Sequence, residues 1–251
     1  MVLHAERRGR GPRIVLVHGF TQTRRSWGPV ADDLSRDHEV VLVDAPGHGG
    51  SGEVRADLED GGRLLADTGG PGTYVGYSMG ARLCLHAALA APDVVQGLVL
   101  IGGTAGIDDA AERAARREQD LATAAQLETA GLERFLEGWL AQPLFAGLSA
   151  DRAGVAERLE NTVAGLRSSL ELAGTGAQAP LWDRLPGLAM PVLAVAGAQD
   201  ERFAALADRI ASSIGRHAAA ALVPDAGHAA HLEQPEAFVA LLRAWLGDEA
   251  R

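Results

Sequence analysis

Six short aliphatic runs punctuate the chain, at residues 13–17, 39–43, 73–77, 97–101, 191–196 and 219–223. Each has the length of a strand and is apolar without polar alternation, the mark of a strand buried on both faces of a parallel sheet. Amphipathic, alanine-rich stretches lie between most of them, for example 79–91 and 202–214. Strands alternating with helices predict an α/β fold, an open and mostly parallel sheet with helices on both faces. The alternation stops between Gly102 and Pro191, where only helical periodicity remains, punctuated by Gly131, Pro143, Gly147 and Gly174. A wholly helical insertion between two core strands reads as a cap over the carboxyl ends of the sheet. We assign residues 104–188 to this cap and the whole chain, 1–251, to a single domain.

Composition narrows the class. With 251 residues, 47% of them hydrophobic, the chain can bury one large core, and the cap is an insertion in it. Residues 1–11 are polar and basic with no apolar signal segment, and no run approaches the length of a membrane span. The expectation is a soluble cytoplasmic protein with no membrane partner. The single cysteine, Cys84, excludes internal disulfides, fits a reducing compartment, and falls on a helix where it reads as a packing residue. A formal net charge of −10 without a basic stripe argues against nucleic acid. No glycine-rich phosphate loop is present, so no nucleotide is implied. The oligomeric state stays open between a monomer and a small homo-oligomer.

The candidate chemistry begins at Gly76-Tyr77-Ser78-Met79-Gly80, between an apolar run and a helix-forming run. Glycines two residues to either side of a serine mark a strand-to-helix turn too tight for side chains at those positions. Such a turn lifts the Ser78 hydroxyl clear of the sheet and sets it at a helix N-terminus, where free N–H groups favour developing negative charge. Serine needs a base and an acid behind it. Asp200 follows the run 191–196, His228 follows 219–223, and the order Ser, Asp, His is that of the alpha/beta hydrolases. His228 would take the Ser78 proton, with Asp200 holding the imidazole tautomer. Asp225, three residues before His228, competes for the acid role. His18 and His48 sit in glycine loops and read as loop-shaping residues, whereas His86 and His231 read as packing or surface residues. No pair of histidines has metal-ligand spacing, so no metal is expected. Gly19 lets the chain turn after the first core strand, so that the backbone N–H of Phe20 can join that of Met79 in an oxyanion hole.

These motifs, with Asp44-Ala45-Pro46-Gly47-His48-Gly49 and Gly227-His228, resemble the alpha/beta hydrolase superfamily over nearly the whole chain. Other segments are more discriminating. Arg82, the run Glu112-Arg113 with Arg116, Arg117 and Asp120, Trp139 with Gln142-Pro143-Leu144-Phe145, Arg158 with Asn161, and Gly174-Thr175-Gly176-Ala177-Gln178 resemble one branch of it. That branch is the menaquinone-pathway 2-succinyl-6-hydroxy-2,4-cyclohexadiene-1-carboxylate synthases, which eliminate pyruvate from their substrate. The departures are Ala45 where the branch usually has leucine, Ala81 where it often has glycine, and a short segment before the first core strand. Neither alanine is a reacting group.

The resemblance implies a lyase that needs no cofactor and no metal. Ser78, deprotonated by His228 with Asp200 behind it, would act as general base on a multi-carboxylate small molecule. A protein of net charge −10 does not draw such a substrate by long-range attraction, so local arginines must hold its carboxylates. Read alone, each cap arginine is a solvated surface charge. The resemblance instead assigns Arg82, Arg116 and Arg158 to substrate binding, with Arg117 as a substitute for Arg116, and leads us to expect that their loss leaves thermal stability nearly unchanged. Tyr77, Trp139 and Phe145 complete the implied binding set, the last two as an apolar wall. The alternative enzyme is a carboxylesterase or thioesterase working through an acyl-Ser78 intermediate. A third reading is a small-molecule receptor without turnover, against which the intact Ser, Asp, His set speaks.

Overall fold

The computed structural model describes residues 2–249. Seven strands form one sheet: β1 (Ala5–Arg8), β2 (Arg13–Val17), β3 (Glu39–Val43), β4 (Gly72–Tyr77), β5 (Val95–Ile101), β6 (Val192–Gly197) and β7 (Ala218–Val223). Their order is β1-β3-β2-β4-β5-β6-β7, with β2 to β7 mutually parallel and only β1 antiparallel, against β3. The short leading segment thus contributes a single edge strand.

The inner strands are aliphatic because both their faces are covered, and successive residues serve opposite faces. Val15, Val17, Val41 and Val43 pack on one side with α2 (Leu58–Gly69), α3 (Met79–Ala90) and α8 (Glu201–Ile214). Ile14, Leu16, Val40 and Leu42 pack on the other with α1 (Gly28–Leu34) and α10 (Pro235–Glu249). Each such side chain, fully withdrawn from water, contributes roughly 1.5–3 kcal/mol. A one-residue slip of β2 against β3 would exchange the two sets, so the pairing of Leu16 with Leu42 is firmly specified.

Between β5 and β6 the described chain is helical only, with α4 (Ala110–Ala130), α5 (Leu132–Leu140), α6 (Val155–Arg158) and α7 (Val163–Ala173). Asp109 caps α4 by accepting the Glu112 N–H, and Thr162 caps α7 by accepting the Gly165 N–H. Leu127, Phe135 and Leu166 form a separate small core for these helices. A short α-helix, α9 (Ala230–Glu233), lies immediately before α10. No helix among the described residues is long and apolar enough to cross a membrane.

Candidate active site

The turn between β4 and α3 is as tight as its glycines imply. A Cβ on Gly80 would overlap the Val17 carbonyl oxygen, and one on Gly76 would overlap the Gly80 carbonyl oxygen. Ser78 itself sits at φ +52°, a conformation that side-chain-bearing residues rarely adopt. Its position before α3 leaves the N–H of Met79 with no partner outside the helix, and the N–H of Phe20 likewise has no partner among the described residues. Both residues line the same cavity as Ser78. The Phe20 loop is held by Gln22, whose side-chain oxygen accepts the Gly19 N–H at 2.8 Å.

Loops after β6 and β7 bring the other two groups to this turn. His228 Nε2 lies 3.2 Å from Ser78 Oγ, and His228 Nδ1 lies 3.1 Å from Asp200 Oδ2. Burial raises the Asp200 carboxyl, but the hydrogen bonds from His228 and from the Phe203 N–H outweigh it and hold the pKa below the usual range. The group is therefore an anion at neutral pH. Asp225 is exposed, at φ +53°, and its side chain makes no hydrogen bond to His228. The Phe203 ring lies 4.3 Å from that of His228, centroid to centroid, and Tyr77 lies 5.3 Å away.

The remaining histidines have separate settings. His18 accepts the Ala45 N–H and so ties the β2 and β3 loops together. His48 bonds to the Pro46 carbonyl through Nδ1, and burial pushes its pKa down to about 3. His231 packs at a tilt between Trp27 and Tyr77 with both ring nitrogens unpartnered, again with a pKa driven by burial to about 3. Cys84 is buried and its thiol pKa is raised by burial. Among the described residues no cluster of His, Cys, Asp and Glu is placed to hold a metal ion.

Ser78 and His228 open into a cavity of about 700 Å³ between the sheet and the inserted helices. Tyr77, Arg82, Arg116, Trp139, Phe145 and Arg158 all line it. Arg82, on the first turn of α3, is 7% exposed and donates to the Ala173 carbonyl oxygen at 2.7 Å. Arg158 is 2% exposed and donates to the Ala153 carbonyl oxygen and the Thr21 hydroxyl. Burial lowers the pKa of each to about 10, helped at Arg82 by the neighbouring Arg116 charge, so both remain cations at neutral pH. Neither forms an ion pair with a carboxylate among the described residues. Arg116 does pair, with Asp120 at 2.8 Å, and also donates to Thr175. Arg117 points elsewhere, to the Glu171 carbonyl on α7, and is not part of the lining. Through these hydrogen bonds Arg158 satisfies a buried carbonyl and a buried hydroxyl, a structural role that the sequence did not indicate. Aromatic rings close the wall: Phe20 stands edge-on to Trp139 at 5.1 Å, and Trp139 lies 6.0 Å from Phe145.

Residues 14–241 match the model of the alpha/beta hydrolase family. The chain belongs to that family. It is 34% identical to the 2-succinyl-6-hydroxy-2,4-cyclohexadiene-1-carboxylate synthase of Escherichia coli O1:K1 / APEC, over 96% of this chain and 98% of that one. Identity is also 34% to the protein of the same name from Serratia proteamaculans (strain 568), over 94% and 93% of the two chains. Within the hydrolase family the chain therefore groups with these synthases. The structure of MenH from S. aureus superimposes with a TM-score of 0.91 at 27% identity over 99% of both chains. A thermophilic esterase from Thermogutta terrifontis shares the fold, with a TM-score of 0.84 at 24% identity over 98% of this chain and 93% of that one.

Sequence reasoning passed over Phe203, which packs on His228, and left two residues of its motifs without a role: Asn161 donates to the Thr21 carbonyl oxygen at 2.8 Å, and the buried Asp44 accepts from the half-buried Arg24 at 2.9 Å. Asp44 carried a signal, since a carboxylate at the end of a buried strand needs a cation. Phe203, in an ordinary amphipathic helix, carried none.

Proposed function

We propose that this chain eliminates pyruvate from 2-succinyl-5-enolpyruvyl-6-hydroxy-3-cyclohexene-1-carboxylate, giving 2-succinyl-6-hydroxy-2,4-cyclohexadiene-1-carboxylate for menaquinone biosynthesis. The observation that carries the reading is a pair of buried guanidinium groups, Arg82 and Arg158, that line the cavity without a carboxylate partner. An uncompensated buried charge costs several kcal/mol, and an anionic ligand offsets that cost. Arg116 adds a third cation on the same wall, and the proposed substrate carries three carboxylates. The synthase relatives support the same assignment.

In this reading His228 takes the Ser78 proton, Asp200 stabilises the imidazolium, and Ser78 Oγ removes the ring proton next to the succinyl carbonyl. The C–H electron pair moves through the ring double bond and breaks the C–O bond to the enolpyruvyl group, which leaves as the enolate of pyruvate and is protonated. Negative charge on the succinyl oxygen falls to the Phe20 and Met79 N–H groups, with Arg82 on the adjoining carboxylate. Tyr77, Trp139 and Phe145 exclude water around the ring. The inserted helices, 104–188, serve as a cap that supplies Arg116 and Arg158. A buried Cys84 and a chain without a membrane-crossing helix among its described residues support a cytoplasmic setting.

The esterase reading uses the same Ser78 and His228 but has no need of buried, unpaired cations. The deciding experiment incubates the purified chain with the cyclohexene substrate and follows pyruvate with lactate dehydrogenase and NADH. Stoichiometric pyruvate and a cyclohexadiene product support the lyase; no pyruvate from the intact substrate ends it.

A further inference from the structure

The turn that carries His228 is tied down by a carboxylate with no charge partner. Glu233, at the end of α9, is 7% exposed, and its two oxygens accept different backbone N–H groups on either side of the histidine. Oε2 takes the Gly227 N–H at 2.7 Å and Oε1 takes the Ala229 N–H at 2.9 Å. Among the described residues no Lys, Arg or His forms an ion pair with this carboxylate. Two charge-assisted bonds to residues 227 and 229 fix the peptide planes on both sides of position 228, and with them the direction in which the imidazole leaves the chain. Asp225, at φ +53°, starts the same turn, and its carbonyl oxygen accepts from Gln234, the residue after Glu233.

The inserted helical region reaches the same brace twice. A Cβ on Gly147 would overlap Glu233 Oε2, so the carboxylate fills the space that a side chain there would need. Arg152, just beyond, donates to the Glu233 carbonyl oxygen at 2.8 Å and to that of Leu232 at 3.3 Å.

We propose that Glu233 is a positioning residue for His228, and that the segment around Gly147 and Arg152 seats the cap on this brace. The proposal rests on the reading of Ser78 and His228 as a working pair. A shift of about 1 Å in a catalytic group costs on the order of a hundredfold in rate. Gln at 233 keeps the shape but replaces one acceptor by an N–H₂ donor facing a backbone N–H, so one of the two bonds is lost.

The test uses an alkyl fluorophosphonate, which needs no cap arginine: Ser78 Oγ bonds to phosphorus, its proton passes to His228 Nε2, and fluoride leaves. Glu233→Gln, Glu233→Ala and Gly147→Ala are compared with wild type for Ser78 labelling rate, kcat, KM and Tm, with Arg243→Ala as a destabilised control remote from the cavity. The expected result is a labelling rate and kcat lowered together by at least about tenfold with KM changed by less than about twofold. Arg243→Ala should label at the wild-type rate despite its lower Tm. Folded Glu233→Gln and Gly147→Ala that label and turn over like wild type overturn the proposal, and Gly147→Ala decides alone if both Glu233 variants fail to fold. A wild-type chain inert at Ser78 instead removes the underlying Ser78–His228 reading, a result visible before any variant is made.

Discussion

The Arg82 guanidinium and the Ala173 carbonyl oxygen join α3 to α7 by a 2.7 Å hydrogen bond across the cavity. One donor is spent on the protein, and the residue lines a cavity that also holds Ser78 and His228. The same bond makes Arg82 both a binding group and a link between the sheet layer and the inserted helices.

Arg82→Ala is expected to lower kcat/KM by about tenfold to more than a hundredfold, the effect of roughly 1.5–3 kcal/mol for a charge-assisted bond in a water-poor site. Lysine should not rescue it, because the forked geometry is lost. Ligand-free Tm should fall less than for Arg158→Ala, since the relieved burial penalty is similar at the two sites but Arg82 gives up one hydrogen bond and Arg158 two. Arg158→Ala should show a similar kinetic loss but a lower Tm. Leaving the Ala153 carbonyl and Thr21 hydroxyl unpaired costs about 2 kcal/mol or more, roughly 4–8 °C for a chain of this size. Steady-state kinetics with calorimetry on both variants separates the two roles; equal Tm values would contradict the second.

Ser78→Ala and His228→Ala should each lower turnover by at least about a thousandfold, and the double variant should be little worse, because groups acting as one unit are not additive. Pyruvate release measured on all three proteins checks this. Single-variant effects that multiply in the double variant would mean that the 3.2 Å contact between the two side chains has no role in the reaction.

A general base forms no bond to the substrate. Rapid-quench mass spectrometry of the working enzyme should therefore find only the unmodified chain. A burst on activated esters is uninformative, since a serine made nucleophilic by His228 attacks them regardless. A covalent adduct formed from the cyclohexene substrate at a competent rate would replace proton abstraction by acyl transfer.

The five inner parallel strands were legible within one or two residues because burial on both faces demands uninterrupted aliphatic runs, whereas β7 carries the same kind of run although it is an edge strand with Ala219, Ala220 and Leu222 exposed. Ser78, Asp200 and His228 were legible because each follows such a run at the end where open α/β sheets bind ligands. β1 was not, since Ala5–Arg8 is a polar edge strand whose only signal is its pairing with β3. Periodicity could not choose between Arg116 and Arg117, because adjacent helical residues face about 100° apart and the phase of α4 was unknown. Packing against α7 and the 175–177 turn sets it, turning Arg117 to the Glu171 carbonyl. Glu233 was invisible for a different reason. Its partners are backbone N–H groups, which leave no trace in residue type.

Arg243 on α10 supplies the remote comparison for the arginine variants, although it is not a passive surface group. It bonds to Asp33 at 2.6 Å and to Asp37 at 2.9 Å, clamping α10 against α1 and the turn that follows. Arg243→Ala should leave kcat/KM within about twofold of wild type while lowering Tm, because exposed pairs of this kind contribute up to about 1 kcal/mol each. The Asp37 carboxyl, held by Arg243 and then by His38, has its pKa lowered from 3.8 to about 2. Its folded-state value is depressed, so the stabilisation is fully present above about pH 4 and is lost as pH falls through about 2. The Tm difference between wild type and Arg243→Ala should accordingly be constant from pH 7 down to pH 5 and shrink below pH 4. Calorimetry across that range checks the sign, and a difference that grows on acidification would show that some group other than Asp37 is the partner that matters.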